Sequence, residues 1–378
     1  MKRTYIVLTG AKKNAGDYLI TEKCKELITK FKPEFELIQI ERWEKLDDKL
    51  DIVNASKGII LMGGPAFTSQ MYPDVYRLVD DLEKIKVPII PMAVGWNSYP
   101  GDFESMLNFR FSSKSMKLLK KISSSSKYIS VRDFYTNSIL RRHGIENSLM
   151  TGCASWYNLD SIGKKMNLFN KPKVVAFTPA QDVRYSNITI ETMKRVKEIF
   201  SDSKIICAFH RGIGMEDEHT SKNDAMNTRR IASIAKNLEM EIADLSFSYE
   251  NYKKYDNIDF HIGFRLHAHL YFMSKRNPSL LIHEDGRGKS MSETLGIHGI
   301  DAFKTYPFNK QLNIANKILG KLSSPLIFKH DVRKDVPNIV EHMLLSHIET
   351  GFSGYAGVSN TIDSYFEVMK NFVMSLPE

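Results

Sequence analysis

Arg265 and His267 stand two positions apart in His261-Ile-Gly-Phe-Arg-Leu-His-Ala-His-Leu270, just after a short apolar run and a glycine. An arginine and a histidine where a strand turns into a helix make an anion site with a proton carrier. Free N–H groups and the positive end of the helix dipole attract negative charge, and an imidazole exchanges protons near neutral pH. The spacing predicts a strand over 258–262 and then a helix with Leu266, Leu270 and Met273 on its buried side. His261, His267 and His269 raise the question of a metal. No carboxylate lies at ligand spacing, and His267 and His269 fall on different sides of a helix, so no metal site is expected and His269 reads as a structural residue.

Four other stretches carry residues suited to chemistry. Gly10-Ala-Lys-Lys-Asn-Ala-Gly-Asp17 follows the first apolar run. Gly16 permits close approach of the backbone to a ligand, and Asp17 sits at a helix start, as an N-cap or as a base facing a cleft. Lys12 and Lys13 occupy positions where a GxGxxG turn needs small residues, which argues against a nicotinamide site. Asn14 and Asp17 then either cap a βα loop or face a ligand. Gly63-Gly64-Pro65 closes a buried strand, where glycines admit a ligand or simply turn the chain. In Ser130-Val-Arg-Asp133, Arg132 is placed to grip a phosphate or carboxylate with two parallel N–H bonds, or to form a surface pair with Asp133, which is expected to cap the next helix. His283-Glu-Asp-Gly-Arg-Gly-Lys-Ser290 ends like a P-loop, but His283 stands where its first glycine is required. A glycine-rich turn bearing Gly288 and Lys289 remains, adequate for one anionic group or else a solvated basic loop.

Positioning these groups falls to an alternation of apolar runs and amphipathic stretches. Strands are expected at 4–8, 35–40, 57–62, 87–94, 128–131, 174–177, 204–209, 258–262 and 279–283. Helices are expected at 18–31, 72–84, 115–122, 134–143, 189–200 and 229–238. Such alternation implies parallel sheets covered by helices, with ligands at the carboxyl ends of strands. The chain of 378 residues exceeds one ordinary core. A polar pause at 160–173 divides it into two doubly wound α/β halves, 1–165 and 166–330, and the helical tail spans 331–378. The cleft between the halves is the expected site.

The formal charge of +9 points to anionic partners. Nucleic acid is not expected, because the Lys and Arg are dispersed and no reader motif appears. Cys24, Cys153 and Cys207 are far apart and form no CxxC, which fits a reducing compartment. The first apolar run is too short for a signal peptide, and no run approaches the roughly 18 apolar residues of a membrane span. A cytoplasmic protein is expected, with any membrane contact peripheral, at the inner face.

The Asn-x-Gly-Asp loop, the Gly-Gly strand end, Val-Arg-Asp before a mid-chain helix, and Arg-Leu-His-Ala followed by a basic loop occur in one order. That order resembles the polysaccharide pyruvyl transferase family, from about Tyr5 to Gly296. The resemblance implies two Rossmann-like domains facing a cleft, as in GT-B glycosyltransferases, the first on the acceptor side and the second on the donor side. It implies phosphoenolpyruvate as donor, no further cofactor, and a glycan or lipid-linked saccharide as acceptor, joined to pyruvate as a ketal. Arg132 and Arg265 would hold the donor, with Lys289 adding charge. His267 would move the proton, and Asp17 would orient or deprotonate the acceptor hydroxyl. Asn14, Gly16, Gly63, Gly64 and Gly288 would line the substrate cleft. The chain departs from the family pattern at Gly152-Cys153-Ala154 and at 283–289. A nucleotide-sugar glycosyltransferase or a non-catalytic member of the family is the alternative, and self-association is left open.

Overall fold

Apolar runs bounded by glycines and polar loops become parallel strands, and the amphipathic stretches between them become helices crossing back over the sheets. The computed structural model describes residues 3–97, 101–218, 220–304 and 332–378. The first half runs β1 (Arg3–Thr9), α1 (Ala15–Phe31), β2 (Phe35–Glu41), α2 (Leu50–Ala55), β3 (Ile59–Met62), β4 (Ile89–Met92), α3 (Phe103–Asn108), α4 (Ser113–Ser125), β5 (Ile129–Val131), α5 (Phe134–Arg142) and β6 (Ser148–Met150). Its sheet has the order β2-β1-β3-β4, all parallel. The parallel pair β5-β6 joins it through a bridge between Val94 and Val131. Every residue of β3, β4 and β5 is buried, as expected of strands covered on both faces.

The second half runs β7 (Val174–Thr178), α6 (Ser186–Ile199), β8 (Lys204–Phe209), α7 (Lys222–Asn237), β9 (Glu241–Asp244), β10 (Phe260–Gly263), α8 (Leu266–Ser274), β11 (Ser279–His283), α9 (Gly286–Leu295) and β12 (Ile300–Asp301). These strands form one parallel sheet in the order β12-β11-β10-β7-β8-β9. The chain closes with α10 (Val336–Glu349) and α11 (Val358–Met374). The last helix lies against the first half: Phe366 and Phe31 have ring centroids 6.0 Å apart, and the Tyr5 hydroxyl donates to the Pro377 carbonyl. The expected boundary near 330 falls outside the described residues.

Three expectations need correction. The stretch 72–84 is not a helix. Pro73 forces Tyr72 into extended backbone (φ −129°, ψ 126°), Leu78 takes a left-handed φ of 46°, and only short turns at Met71–Val75 and Leu82–Lys84 survive. The basic segment after β11 is not a loop: Asp285 caps it by accepting the Arg287 N–H, and α9 begins at Gly286. Asp17 is not an N-cap, because Asn14 fills that role and leaves Asp17 in the first turn of α1.

Candidate active site

The turns after β1, β3 and β5 meet those after β8, β10 and β11 around a small pocket. Asn14, Asp17, Pro65 and Arg132 come from the first half, and His210, Arg265, His267, Glu284, Arg287 and Gly288 from the second. Strand carboxyl ends of two parallel sheets thus face one another, where helix N-termini and loop side chains are free to meet a ligand.

Arg132 has no exposed surface. Its Nε donates to Asp133 at 3.2 Å, while Nη1 and Nη2 have no partner among the described residues. A buried guanidinium costs several kcal/mol in lost hydration, on the order given for any buried ion, so vacant donors of this kind are rare without a ligand. Its position is built in. A Cβ on Gly95 would lie 2.0 Å from the Arg132 Nε, so only glycine fits there. Asp133 caps α5 by accepting the Thr136 N–H at 2.8 Å, and it also accepts the Ser290 hydroxyl of α9 at 2.8 Å. One carboxylate therefore ties Arg132 to both halves.

His267 lies in the first turn of α8, for which Arg265 is the N-cap residue. Its Nε2 is buried without a partner among the described residues. Gly16 lets the ring approach α1, since a Cβ there would lie 2.3 Å from the His267 Nδ1. Gly16 thus serves the site without lining it. The Arg265 Nη2 donates to the Asn14 Oδ1 at 3.4 Å, and its Nη1 lies a loose 3.8 Å from Glu284. Leu266, expected on the buried side of the helix, packs against the core and also forms part of the pocket wall.

Lys289 does not reach the pocket. It pairs with Asp301 at 2.7 Å. Arg287 points inward instead, gripped by Asp285 through Nε at 2.9 Å and Nη2 at 2.5 Å. Residues two apart on a helix diverge by roughly 200°, so the helical start of α9 separates Arg287 from Lys289. Gly288 does line the pocket. Gly63 and Gly64 do not: they take φ of 45° and 75° and carry the chain from β3 to Pro65, with a Gly63 Cβ only 2.2 Å from the Ile20 Cγ2.

Charge in the pocket is uneven. Burial, reinforced by Arg132, Arg287 and Arg265, holds the His267 imidazole well below its ordinary range, so it is neutral in the free protein. Burial raises the Asp17 carboxyl, opposed by Arg42 and the Asn14 hydrogen bond, and raises Glu284, opposed by Arg265. Asp285 differs: burial pushes it up, but Arg287 outweighs this and keeps it low. Three guanidiniums therefore face one firmly ionised carboxylate and two whose charge is disfavoured.

The sequence reading missed Arg287, Gly95 and His210. His210 follows β8 and is neutral for the same reason as His267, with its Nε2 2.7 Å from the Tyr255 hydroxyl. Its carbonyl accepts the Ala15 N–H at 2.9 Å and so seats the start of α1 on the second half. The position of His210 at a strand's carboxyl end was the available signal.

Fold and site define an α/β protein with an arginine-lined pocket between two parallel sheets. The chain belongs to the polysaccharide pyruvyl transferase family, whose sequence pattern it matches over residues 14–282. This is a family of transferases that modify polysaccharides. No curated protein matches the sequence. Among solved structures, S. aureus MnaA with UDP is similar at 11% identity over 93% of this chain and 97% of its own, with a TM-score of 0.44. HepE from Anabaena, in complex with UDP and glucose, is 10% identical over 98% and 97%, with a TM-score of 0.46. The wall teichoic acid polymerase TagF is 11% identical over 98% and 89%, with a TM-score of 0.42. Among the described residues, no helix is long and apolar enough to cross a membrane.

Proposed function

We propose that this chain transfers the pyruvyl group of phosphoenolpyruvate to two hydroxyls of a saccharide, giving a pyruvate ketal and phosphate. The observation that carries this reading is the buried Arg132 guanidinium, whose two vacant Nη donors share a pocket with the unpartnered Nε2 of His267. The pocket's open volume of ≈ 70 Å³ suits a three-carbon phosphate, whereas sites for larger ligands commonly run to hundreds of Å³.

In this proposal Arg132, Arg265 and Arg287 hold the donor's phosphate and carboxylate. About three negative charges then replace the repulsive field that keeps His267 neutral, so donor binding returns a proton to the imidazole. The imidazolium protonates the methylene carbon, and a saccharide hydroxyl attacks the adjacent carbon. The C–O bond to phosphate breaks, and a second hydroxyl closes the ketal. Of the two hydroxyl protons, one restores His267 and so replaces the proton given to the new methyl group. The other leaves on phosphate. Asp17, whose carboxyl is raised, takes a hydroxyl proton during attack and passes it on to the departing phosphate.

Thermal unfolding with added ligands tests the reading. Phosphoenolpyruvate at 100 times its dissociation constant should add about 2.7 kcal/mol of stability by mass action. Stabilisation by UDP with none by phosphoenolpyruvate would overturn the proposal in favour of nucleotide-sugar chemistry.

A further inference from the structure

Beside the pocket, on the outer side of the turn between β1 and α1, lies an open groove of ≈ 550 Å³ that the catalytic proposal does not use. Trp43, just after β2, and Glu41 form its wall on the first half, while Phe247, Asp217 and Glu218 form the wall on the second. We infer that this groove binds the acceptor, as an uncharged saccharide chain stacked on Trp43 and Phe247. The inference rests on the pyruvyl transfer reading for the ligand's role, though not for its chemistry.

Phe247 is the first ground. The residue is 45% exposed, and its backbone takes φ 67°, a conformation that is an outlier for a bulky side chain. Backbone strain of this kind concentrates at functional positions. The Phe247 N–H donates to the Lys13 carbonyl at 2.9 Å, which fixes the residue against the β1–α1 turn. Nothing in the core gains from the exposed ring, so the strain serves its presentation.

The second ground is how the turn is fastened. The Lys12 ammonium sits 4.0 Å from the Trp43 ring centroid, and that of Lys13 sits 5.8 Å from the Phe247 ring. Lys13 is itself buried and paired with Asp217 at 2.5 Å. Consecutive lysines therefore reach to opposite walls, and both aromatic platforms are anchored to the segment that continues into Asn14 and Asp17. A chain lying in the groove is delivered to the residues that face the donor.

The third ground is chemical. Aromatic faces pack against the C–H faces of sugar rings, and carboxylates accept hydrogen bonds from sugar hydroxyls. Three carboxylates against two ammoniums give the groove the opposite bias to the cationic pocket, which favours a neutral chain over an anionic one. Lys12 and Lys13, which spoil any dinucleotide fingerprint, acquire a purpose here.

The full-length protein should be titrated with neutral oligosaccharides, including β-galactosides, mannans and cellulose and chitin fragments. Trp96 and Trp156 are 3% and 0% exposed, so a change in tryptophan emission reports on Trp43. At least one saccharide is expected to change the emission. Broadening of that saccharide's NMR lines should then weaken about tenfold or more in Trp43→Ala and in Phe247→Gly, the loss of one aromatic contact. Phenylalanine to glycine relieves the left-handed backbone, so this variant keeps its fold. Stabilisation by phosphoenolpyruvate should survive both changes. Undiminished saccharide binding in both variants overturns the groove, as does the absence of any wild-type response while phosphoenolpyruvate still stabilises. Saccharide binding that depends on both rings, without any effect of phosphoenolpyruvate, leaves the groove standing and removes the donor.

Discussion

Arg276 and Arg132 are exposed by 2% and 0%, yet they are used in opposite ways. Arg276 donates through Nε to the Ser161 carbonyl at 3.0 Å and through Nη2 to Asp363 of α11. It ties the segment between the two halves to the last helix. Arg132 has one partner through Nε and two vacant terminal nitrogens aimed into a pocket. Burial alone therefore does not mark a functional arginine, and neither does one vacant donor, since the Arg276 Nη1 also lacks a partner among the described residues; Arg132 differs in lining the pocket. The histidines repeat the contrast. His261 and His269 share the Ser279 hydroxyl at 2.7 and 2.8 Å within the second half; the Nε2 atoms of His267 and His269 both lack a partner among the described residues, but of the two only His267 lines the pocket.

Exchanging each arginine for methionine is the sharpest way to break this comparison. Arg132→Met should lower transfer by about 10³-fold, the upper range for removing a donor from a reacting centre. Its stability should stay within about 1 kcal/mol, because Asp133 keeps its other partners. Arg276→Met should do the reverse, losing about 1–3 kcal/mol of stability by leaving the Ser161 carbonyl without its side-chain donor, with the folded fraction still active. Urea unfolding beside a phosphate-release assay separates the two; similar losses in both variants would erase the distinction.

Gly16→Ala comes next. Its methyl group would lie 2.3 Å from the His267 Nδ1 and push the ring away, so turnover should fall about 10²-fold while the helical content of α1 is kept. Full activity in this variant would place His267 outside the chemistry. Arg287→Ala should weaken the donor about tenfold, and Lys289→Ala should leave donor binding unchanged and cost under about 1 kcal/mol of stability. Donor titrations of both variants decide whether the geometric correction holds.

A further test is in pH. His210, His261 and His267 have folded-state pKa values below the ordinary one, through burial, and His269 is pushed down to about 3 by burial and His283. The unfolded chain therefore takes up these protons first. Stability is complete above about pH 6.5 and falls as pH drops, by about 1.4 kcal/mol per unit for His269 alone. Urea midpoints from pH 7.5 to 5.5 check this. Bound phosphoenolpyruvate should reduce the loss through His267 only.

Much of this was legible because βα units put chemistry at strand ends, where a single sequence shows it. Arg132, Arg265, His267, Asn14 and Asp17 were identified in that way, and all line the pocket. Arg287 was not legible beside Lys289, because the glycines at 286 and 288 read as a turn, and a turn carries no helical phase. The Asp285 cap, two residues before Arg287, was the signal that a helix begins. Gly95 could not be recognised, since its reason is the Arg132 side chain, 37 positions away and brought near by the β4–β5 neighbourhood. The false helix at 72–84 followed apolar spacing past Pro73 and Leu78, where backbone geometry prevails over periodicity.

A crystal structure of the protein soaked with phosphoenolpyruvate tests the central claim most directly. Density for the ligand should show both Nη atoms of Arg132 bonded to one of its anionic groups, with His267 Nε2 within reach of the methylene carbon. Ligand bound elsewhere, with Arg132 turned to a protein partner, would contradict it.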